Sequence, residues 1–239
     1  EARHIETQVI ADQHGNAVVL GERECSVQRR NQKVIEEAPS PALTDEERTN
    51  LYERSAEFAR TVGYQNVGTI EYLYSKGEFF FLEMNTRLQV EHSISEESMR
   101  ANGEKVDLVE QMIRIAEGEA ISFNQSQISR LGHAIEARIY AEDPEQNYRP
   151  SPGTAYYYEF PDEDYLRIET AFTSYPFEVS SAYDPMIAKV IAHGENREDA
   201  ISKLNSSLQQ TIVFGLPTNI DLCQNVLLNE DFSSGSYNT

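Results

Sequence analysis

Positive charge is scarce in these 239 residues: 20 Lys and Arg stand against 40 Asp and Glu, a formal net charge of −20. That balance argues against nucleic acid or an anionic membrane as partner, because both are held by clustered cations. Cysteine is scarce too. Cys25 and Cys223 alone make no disulfide framework, and no segment reads as a secretory leader. No apolar run approaches the ~20 residues of a membrane-crossing helix. Repeats and low-complexity tracts are absent. Together these absences predict a reducing, cytoplasmic setting. The opening residues, Glu-Ala-Arg-His-Ile-Glu, begin inside a strand-like pattern without an initiating Met, so the chain reads as a piece of something longer. Its length suits one large domain or two small ones.

What is present is a dense polar run, Glu83-Met84-Asn85-Thr86-Arg87-Leu88-Gln89-Val90-Glu91-His92. Read as an extended segment, it puts Glu83, Asn85, Arg87, Gln89 and Glu91 on one face. Phe79-Phe80-Phe81-Leu82 ahead of it reads as a buried strand. Upstream, Gly68 to Tyr74 is also strand-like, and Ser75-Lys76-Gly77-Glu78 reads as a hairpin turn. A hairpin centred near Gly77 sets Glu71 opposite Glu83, since each lies six residues from that centre. Like charges directly opposed at about 5 Å are destabilising, so the pair needs a shared proton or a cation. With Asn85 as a third oxygen, a hard ion such as Mg²⁺ is the simpler answer. The competing reading is an exposed hairpin whose acids solvate one face. Arg87 can grip an anion through two hydrogen bonds, and Glu91 can accept a proton. The competing reading there is a structural Arg–Glu ion pair.

Other segments supply the frame. Arg3 to Val9 alternates, with His4, Glu6 and Gln8 on one face and Ile5, Thr7 and Val9 on the other. Asp12 to Asn16 is a turn into a second strand. Arg23, Arg29, Arg30 and Lys33 form a basic knot, read as a surface patch or as a site for a phosphate- or bicarbonate-sized anion. Thr44-x-x-Glu47 is a capping box opening a helix that Gly63 closes, with Leu51, Phe58 and Val62 as its buried stripe. A polar stretch from Ser93 to Lys105 leads to a helix carrying Val106, Val109, Met112, Ile113 and Ala116 and ended by Gly118. From Gly132 the texture turns β-rich, over 132–140, 154–160, 166–172 and 186–193, with Pro150-Ser151-Pro152-Gly153 as a rigid turn. Glu136 and Arg138 share a strand face, a pairing that is usually structural. Helices follow over Arg197–Gln210 and after Thr218, the last capped by Thr218-x-x-Asp221.

Several of these segments resemble one family, in order and along nearly the whole chain. They are Arg3-His4-Ile5-Glu6, Glu22 to Lys33, the EMNTRLQVEH run of Glu83 to His92, Gly132-His133-Ala134-Ile135-Glu136-Ala137-Arg138, Pro150 to Gly153, Tyr183-Asp184-Pro185-Met186-Ile187 and Thr218-Asn219. The chain resembles biotin carboxylases, the ATP-grasp subunits and domains of biotin-dependent carboxylases. The resemblance implies an α+β fold. Residues 1–125 would be the C-terminal half of an ATP-grasp domain, mainly antiparallel sheet with flanking helices and carrying the metal and bicarbonate side. Residues 126–239 would be the family's β-rich C-terminal domain.

The implied chemistry uses ATP and bicarbonate to make carboxyphosphate, then carboxylates biotin on a carrier protein. Glu71, Glu83 and Asn85 would hold Mg²⁺ or Mn²⁺. Lys33, Arg87, Gln89 and the backbone of Val90 would hold bicarbonate, with Glu91 as its base. Arg138 would stabilise the enolate-like oxygen of biotin. His4, Gln28 and Asn31 would lie along the nucleotide. Implied partners are a biotin carboxyl carrier, a carboxyltransferase and a second copy in a homodimer; the final acceptor, among acetyl-CoA, propionyl-CoA, pyruvate and urea, is not implied.

Three departures qualify this. The family's N-terminal domain and its glycine-rich lid have no counterpart here, so no turnover is expected of residues 1–239 alone. Asn31 stands where the family usually has His. Ser93-Ile94-Ser95 replaces a Pro-containing run, and the segment from Glu96 to Lys105 is a few residues longer than usual, which reads as a surface stretch in preference to a reshaped entrance for biotin. An alternative of another class is a non-catalytic dimerisation or carrier-docking module. Another ATP-grasp ligase, using a different acid, is disfavoured by Arg87-x-Gln89-x-Glu91.

Overall fold

The computed structural model describes residues 2–239 and separates them into two compact units, one of residues 2–27, 36–134 and 237–239, the other of 28–35 and 135–236. In the first unit, β1 (Arg3–Ala11) lies between β2 (Ala17–Arg29) and β4 (Asn66–Ser75), and β5 (Glu78–Asn85) forms the sheet edge beyond β4. All three pairings are antiparallel. β3 (Gln32–Ala38) follows β2, and α1 (Asp45–Thr61) separates β3 from β4.

The alternation of β1 sorts its residues as the sequence predicts. Ile5 and Val9 join Val19, Ile70, Leu51 and Ala59 in a core beneath α1. On the other face, Ile10 meets Val67, Leu108 and Ile115 beneath α3 (Leu108–Ala116). His4, Glu6 and Gln8 share that second face by strand parity. One sheet surface is therefore apolar at one end and polar at the other.

α1 begins as expected. Thr44 Oγ1 accepts from the Glu47 backbone N–H at 3.2 Å, and Glu47 Oε2 accepts from the Thr44 backbone N–H at 2.8 Å. Gly63 ends it at φ +65°, the left-handed conformation that glycine adopts without strain. Its buried face differs from the expected stripe. Arg48, Leu51, Ser55, Ala56 and Ala59 are buried, whereas Val62 is exposed. In α3 the inward residues are Leu108 and Ile115, while Val109 and Ile113 face out. Under α1, small residues and one arginine fit where the helix closely covers the sheet, whereas α3 turns two large apolar residues, Leu108 and Ile115, inward.

Two expectations around the polar run are corrected. Phe80, Phe81 and Leu82 are not buried; each is about half exposed, because β5 is an edge strand. The segment after Glu91 is on the surface only at its far end, over Asn102 to Lys105. His92–Ser98 forms α2, with Ser93, Ile94, Ser95 and Ser98 buried, and β6 (Met99–Ala101) pairs with β7 (Ile128–Arg130). An Asn102-Gly103 turn at positive φ follows, bracketed by the Ala101–Glu104 bridge.

In the second unit, β8 (His133–Tyr140) neighbours the strand Met186–Gly194, which pairs antiparallel with Leu166–Thr170. Small two-stranded ladders join Gly153–Ala155 to Phe177–Val179 and Tyr157–Glu159 to Ile212–Phe214. α4 spans Arg197–Gln210 as predicted. α5 (Ile220–Leu227) is not capped by Thr218: Asn219 is its N-cap, with no capping side-chain bond. Instead the Asn219 side chain brackets β8, accepting from Tyr140 N–H at 2.7 Å and donating to the Arg138 carbonyl at 2.9 Å.

Candidate active site

The hairpin of β4 and β5 turns through Lys76 and Gly77, both at positive φ, with Ser75 paired to Glu78. From that turn an unbroken ladder would set Leu82 against Glu71 and send Glu83 to the α1 face with Phe81. The strands avoid this. Phe81 pairs with Tyr72, yet Glu83 pairs with Glu71, so Leu82 is an extra residue in a β-bulge. The predicted opposition of Glu71 and Glu83 is present, but the hairpin is centred between Lys76 and Gly77, and the bulge makes up the difference. It also moves Glu83 and Asn85 onto the face of Glu71 and away from Phe58, which contacts Phe81 at 5.4 Å between ring centres.

Both carboxylates converge on one amide: Asn85 Nδ2 donates to Glu71 Oε1 at 3.0 Å and to Glu83 Oε1 at 3.3 Å. Arg87 Nη2 donates to Asn85 Oδ1 at 3.4 Å. The two acids are a hard-oxygen pair of the kind Mg²⁺ accepts, while Asn85 turns its nitrogen to them and its oxygen to Arg87. Glu83 and Arg87 are exposed, and Glu71 is buried.

Beyond Asn85 the extended reading fails. The strand ends there, Val90 and Glu91 lie in a turn, and Glu91 directly precedes α2. The five polar residues therefore do not line one strand face. Gln89 folds inward, donating from Nε2 to Glu71 Oε1 at 2.7 Å. Glu91 is 2 % exposed, and its carboxylate lies within 4.8 Å of ligand atoms of Glu6 and Cys25. His4 Nε2 is 2.9 Å from Glu71 Oε2.

Arg23 organises this interior. It belongs to no surface patch: it is fully buried, and so the basic knot does not exist as one feature. Its Nε donates to Glu6 Oε1 at 2.5 Å, Nη1 to Gln8 Oε1 at 2.5 Å and Ser95 Oγ at 2.9 Å, and Nη2 to Thr69 Oγ1 at 3.1 Å and Gln89 Oε1 at 3.2 Å. All five guanidinium hydrogens are thus used. Burial opposes its charge, but the carboxylates of Glu6 and Glu91 outweigh burial and push its pKa up. A second bulge makes the arrangement possible. Between Thr7 and Val9 the β1–β2 register slips, with Gly21 at φ +78° in β2, and Arg23 then pairs with Glu6. The sequence signals for it were an Arg and a Glu on adjacent strands and a glycine between them.

The remaining predicted residues belong to the second unit. Gln28 and Lys33 are half-buried, and Asn31 occupies a tight turn with Arg30 at φ 65° and 53°. Asn is enriched in that left-handed region, so the residue suits the backbone. Arg138 is buried on β8, with Nε 4.0 Å from Glu136 Oε1, and Lys189 Nζ lies 3.8 Å from the other oxygen of Glu136. Asn219 holds the backbone at Arg138, and its signal in the sequence is the Thr218-Asn219 pair.

Comparison with known proteins gives this architecture a family. Residues 1–123 match the family described as "Carbamoyl-phosphate synthase L chain, ATP binding domain", and residues 136–239 match "Biotin carboxylase C-terminal domain". The chain belongs to the biotin carboxylase family. Biotin carboxylase 2 of Bacillus subtilis is 49 % identical over 239 residues, covering 100 % of this chain and 52 % of its own length. A biotin carboxylase of Allochromatium vinosum is 47 % identical over 236 residues, covering 99 % and 51 %. Among structures, the biotin carboxylase domain dimer of Hydrogenobacter thermophilus 2-oxoglutarate carboxylase, in complex with MgADP, ADP and bicarbonate, superposes with a TM-score of 0.94 at 40 % identity, covering 100 % of this chain and 51 % of that one. The chain spans about half the length of these relatives. Among the described residues, no helix is long and apolar enough to cross a membrane.

Proposed function

We propose that this chain is the C-terminal lobe of a biotin carboxylase, which uses MgATP and bicarbonate to carboxylate carrier-linked biotin through carboxyphosphate. The observation that carries the reading is the bulge-dependent opposition of Glu71 and Glu83 around Asn85. An exposed hairpin that merely solvated its acids would need no irregularity to bring them together.

In this reading Glu71, Glu83 and Asn85 hold Mg²⁺ or Mn²⁺. The bound ion supplies charge neutralisation for the phosphates of ATP. Asn85 carries both a donor and an acceptor: the donor keeps the two carboxylates in place, and the acceptor is the third oxygen. Arg87, Lys33, Gln89 and the backbone of Val90 bind bicarbonate, and Glu91 takes its proton to give a nucleophile for the γ-phosphate. Arg138 presents a fixed positive charge to the oxygen of biotin as that oxygen becomes negative. Glu136 and Glu169, the latter 2.6 Å from Lys189, balance the charges of Arg138 and Lys189. His4, Gln28 and Asn31 lie along the nucleotide. A division near residue 125, a carrier protein, a carboxyltransferase, a homodimer and a cytoplasmic setting belong to the same proposal. A purely structural dimerisation or docking module would have no use for Glu71, Glu83, Arg87, Glu91 and Arg138 together.

The test is Glu91→Gln in an enzyme carrying this chain together with an N-terminal half and lid. Bicarbonate-dependent ATP hydrolysis should be lost while nucleotide binding stays. Unchanged hydrolysis removes Glu91 from the mechanism. Residues 1–239 alone should show no biotin- and bicarbonate-dependent hydrolysis, and a measurable rate would refute that part.

A further inference from the structure

Next to the all-oxygen hairpin trio stands a second group of ligating atoms with a different chemistry. β1 carries His4 and Glu6 on one face, and β4 sets Glu71 directly opposite Glu6. His4 Nε2 lies 2.9 Å from Glu71 Oε2 and 3.9 Å from Glu6 Oε2, and ligand atoms of all three lie within 4.8 Å of one another. A tetrahedral zinc ion with metal–ligand bonds near 2.1 Å has ligand–ligand edges of about 3.4 Å. The two measured edges bracket that value.

The group is also oriented from outside. Glu6 Oε1 is held by Arg23 Nε at 2.5 Å, and Glu71 Oε1 by Gln89 Nε2 at 2.7 Å, which leaves both Oε2 atoms directed at the imidazole. The His4 backbone N–H donates to Ser26 Oγ at 2.8 Å, fixing the strand at the third ligand. Donors that fix the far oxygen of each carboxylate are the usual outer layer of a metal site. One nitrogen with two carboxylates suits borderline transition ions, whereas Mg²⁺ prefers oxygen and water.

We propose that His4, Glu6 and Glu71 form a second divalent-cation site, selective for borderline ions such as Zn²⁺ and Co²⁺, which shares Glu71 with the hairpin trio. Glu71 turns Oε2 to His4 and Oε1 to the trio, so one carboxylate can serve both ions at once without making them exclude each other. This sharing, though not the site itself, rests on the metal role proposed above for Glu71.

The experiment titrates the 239-residue chain with Co²⁺ and reads the visible d–d absorption. A saturable band at one equivalent, displaced by Zn²⁺ but not by a large excess of Mg²⁺, is expected. His4→Ala should weaken Co²⁺ binding at least tenfold, and Glu83→Gln should leave it unchanged. An unchanged urea midpoint for His4→Ala establishes that it is folded. Binding that survives His4→Ala, or that yields to Mg²⁺ as readily as to Zn²⁺, overturns the site. Mn²⁺ binding read separately by EPR, and weakened by Glu83→Gln alone, reports the hairpin trio, so the failure of either assignment is seen on its own.

Discussion

Replacing Arg23 by Met is the most informative perturbation of this fold, because the structure states what the side chain leaves behind. Glu6, fully buried, would lose the cation that donates to it at 2.5 Å, and the oxygens of Gln8, Gln89, Thr69 and Ser95 would each lose a donor. Breaking a buried ion pair from one side costs about 3–5 kcal/mol. Removing both charges in Arg23→Met with Glu6→Met deletes the stranded carboxylate, and replacement of a whole buried pair is often close to neutral. The double variant should therefore recover about half or more of the single loss. Urea unfolding reads both, with stability taken from the midpoint where the slope is unchanged. A single variant that loses less than about 1 kcal/mol, or a double variant no better than the single, would refute the assignment of Arg23 as the partner Glu6 requires.

A second test concerns pH. Burial pushes the Glu24 carboxyl up to about 7, against opposing hydrogen bonds from Ser26 and Ser40 and the charge of Arg3. The unfolded chain releases this proton near 4.5 and the folded one near 7, so stability falls as pH rises between those values, by about 3 kcal/mol. Glu24→Gln should flatten that part of the urea-midpoint profile, and a profile parallel to the parent's would count against it. Deleting Leu82 should convert the bulge into a regular ladder that still sets Glu71 against Glu83. Mn²⁺ affinity within a few-fold of the parent is expected, and its abolition would mean the bulge residue itself is needed. Gly21→Ala should destabilise by more than about 1 kcal/mol, since the residue sits at φ +78° and a Cβ would stand 2.9 Å from Met99 Sδ; an unchanged melting temperature would show that the β2 bulge tolerates a side chain.

Much of this architecture could be read from local pattern. The α1 capping box, the bounds of α4 and the alternation of β1 all follow from spacing within one or two elements, whereas the Glu71–Glu83 opposition arises only because the Leu82 bulge offsets the true centre of the hairpin. What could not be read depended on who covers whom. Phe80, Phe81 and Leu82 have the composition of a core strand, but β5 lies at a sheet edge, and no property of those residues reveals strand order. Ser93, Ser95 and Ser98 look solvent-facing, yet a buried guanidinium and the helix's own carbonyls satisfy Ser95 and Ser98. Arg23 lies close in sequence to Arg29, Arg30 and Lys33, which suggests one basic patch. A one-residue slip at Gly21 sends it instead into the interior against Glu6.

The same slip explains why a polar interior is tolerated beside the candidate site. The apolar clusters under α1 and α3 hold the sheet, so the polar end of its second face is free to serve geometry. There, a continuous series of hydrogen bonds runs from Glu6 through Arg23 and Gln89 to Glu71, and on through Asn85 to Glu83. Each member of that series has its partner before any ligand arrives. Catalysis by positioned charges depends on such preorganisation, because groups already fixed need no rearrangement when charge develops. The bulges at Gly21 and Leu82 are what bring the two ends of the series onto one face. A helix-covered sheet without them would put Arg23 and Glu83 on the wrong sides, leaving the same residues with none of this geometry.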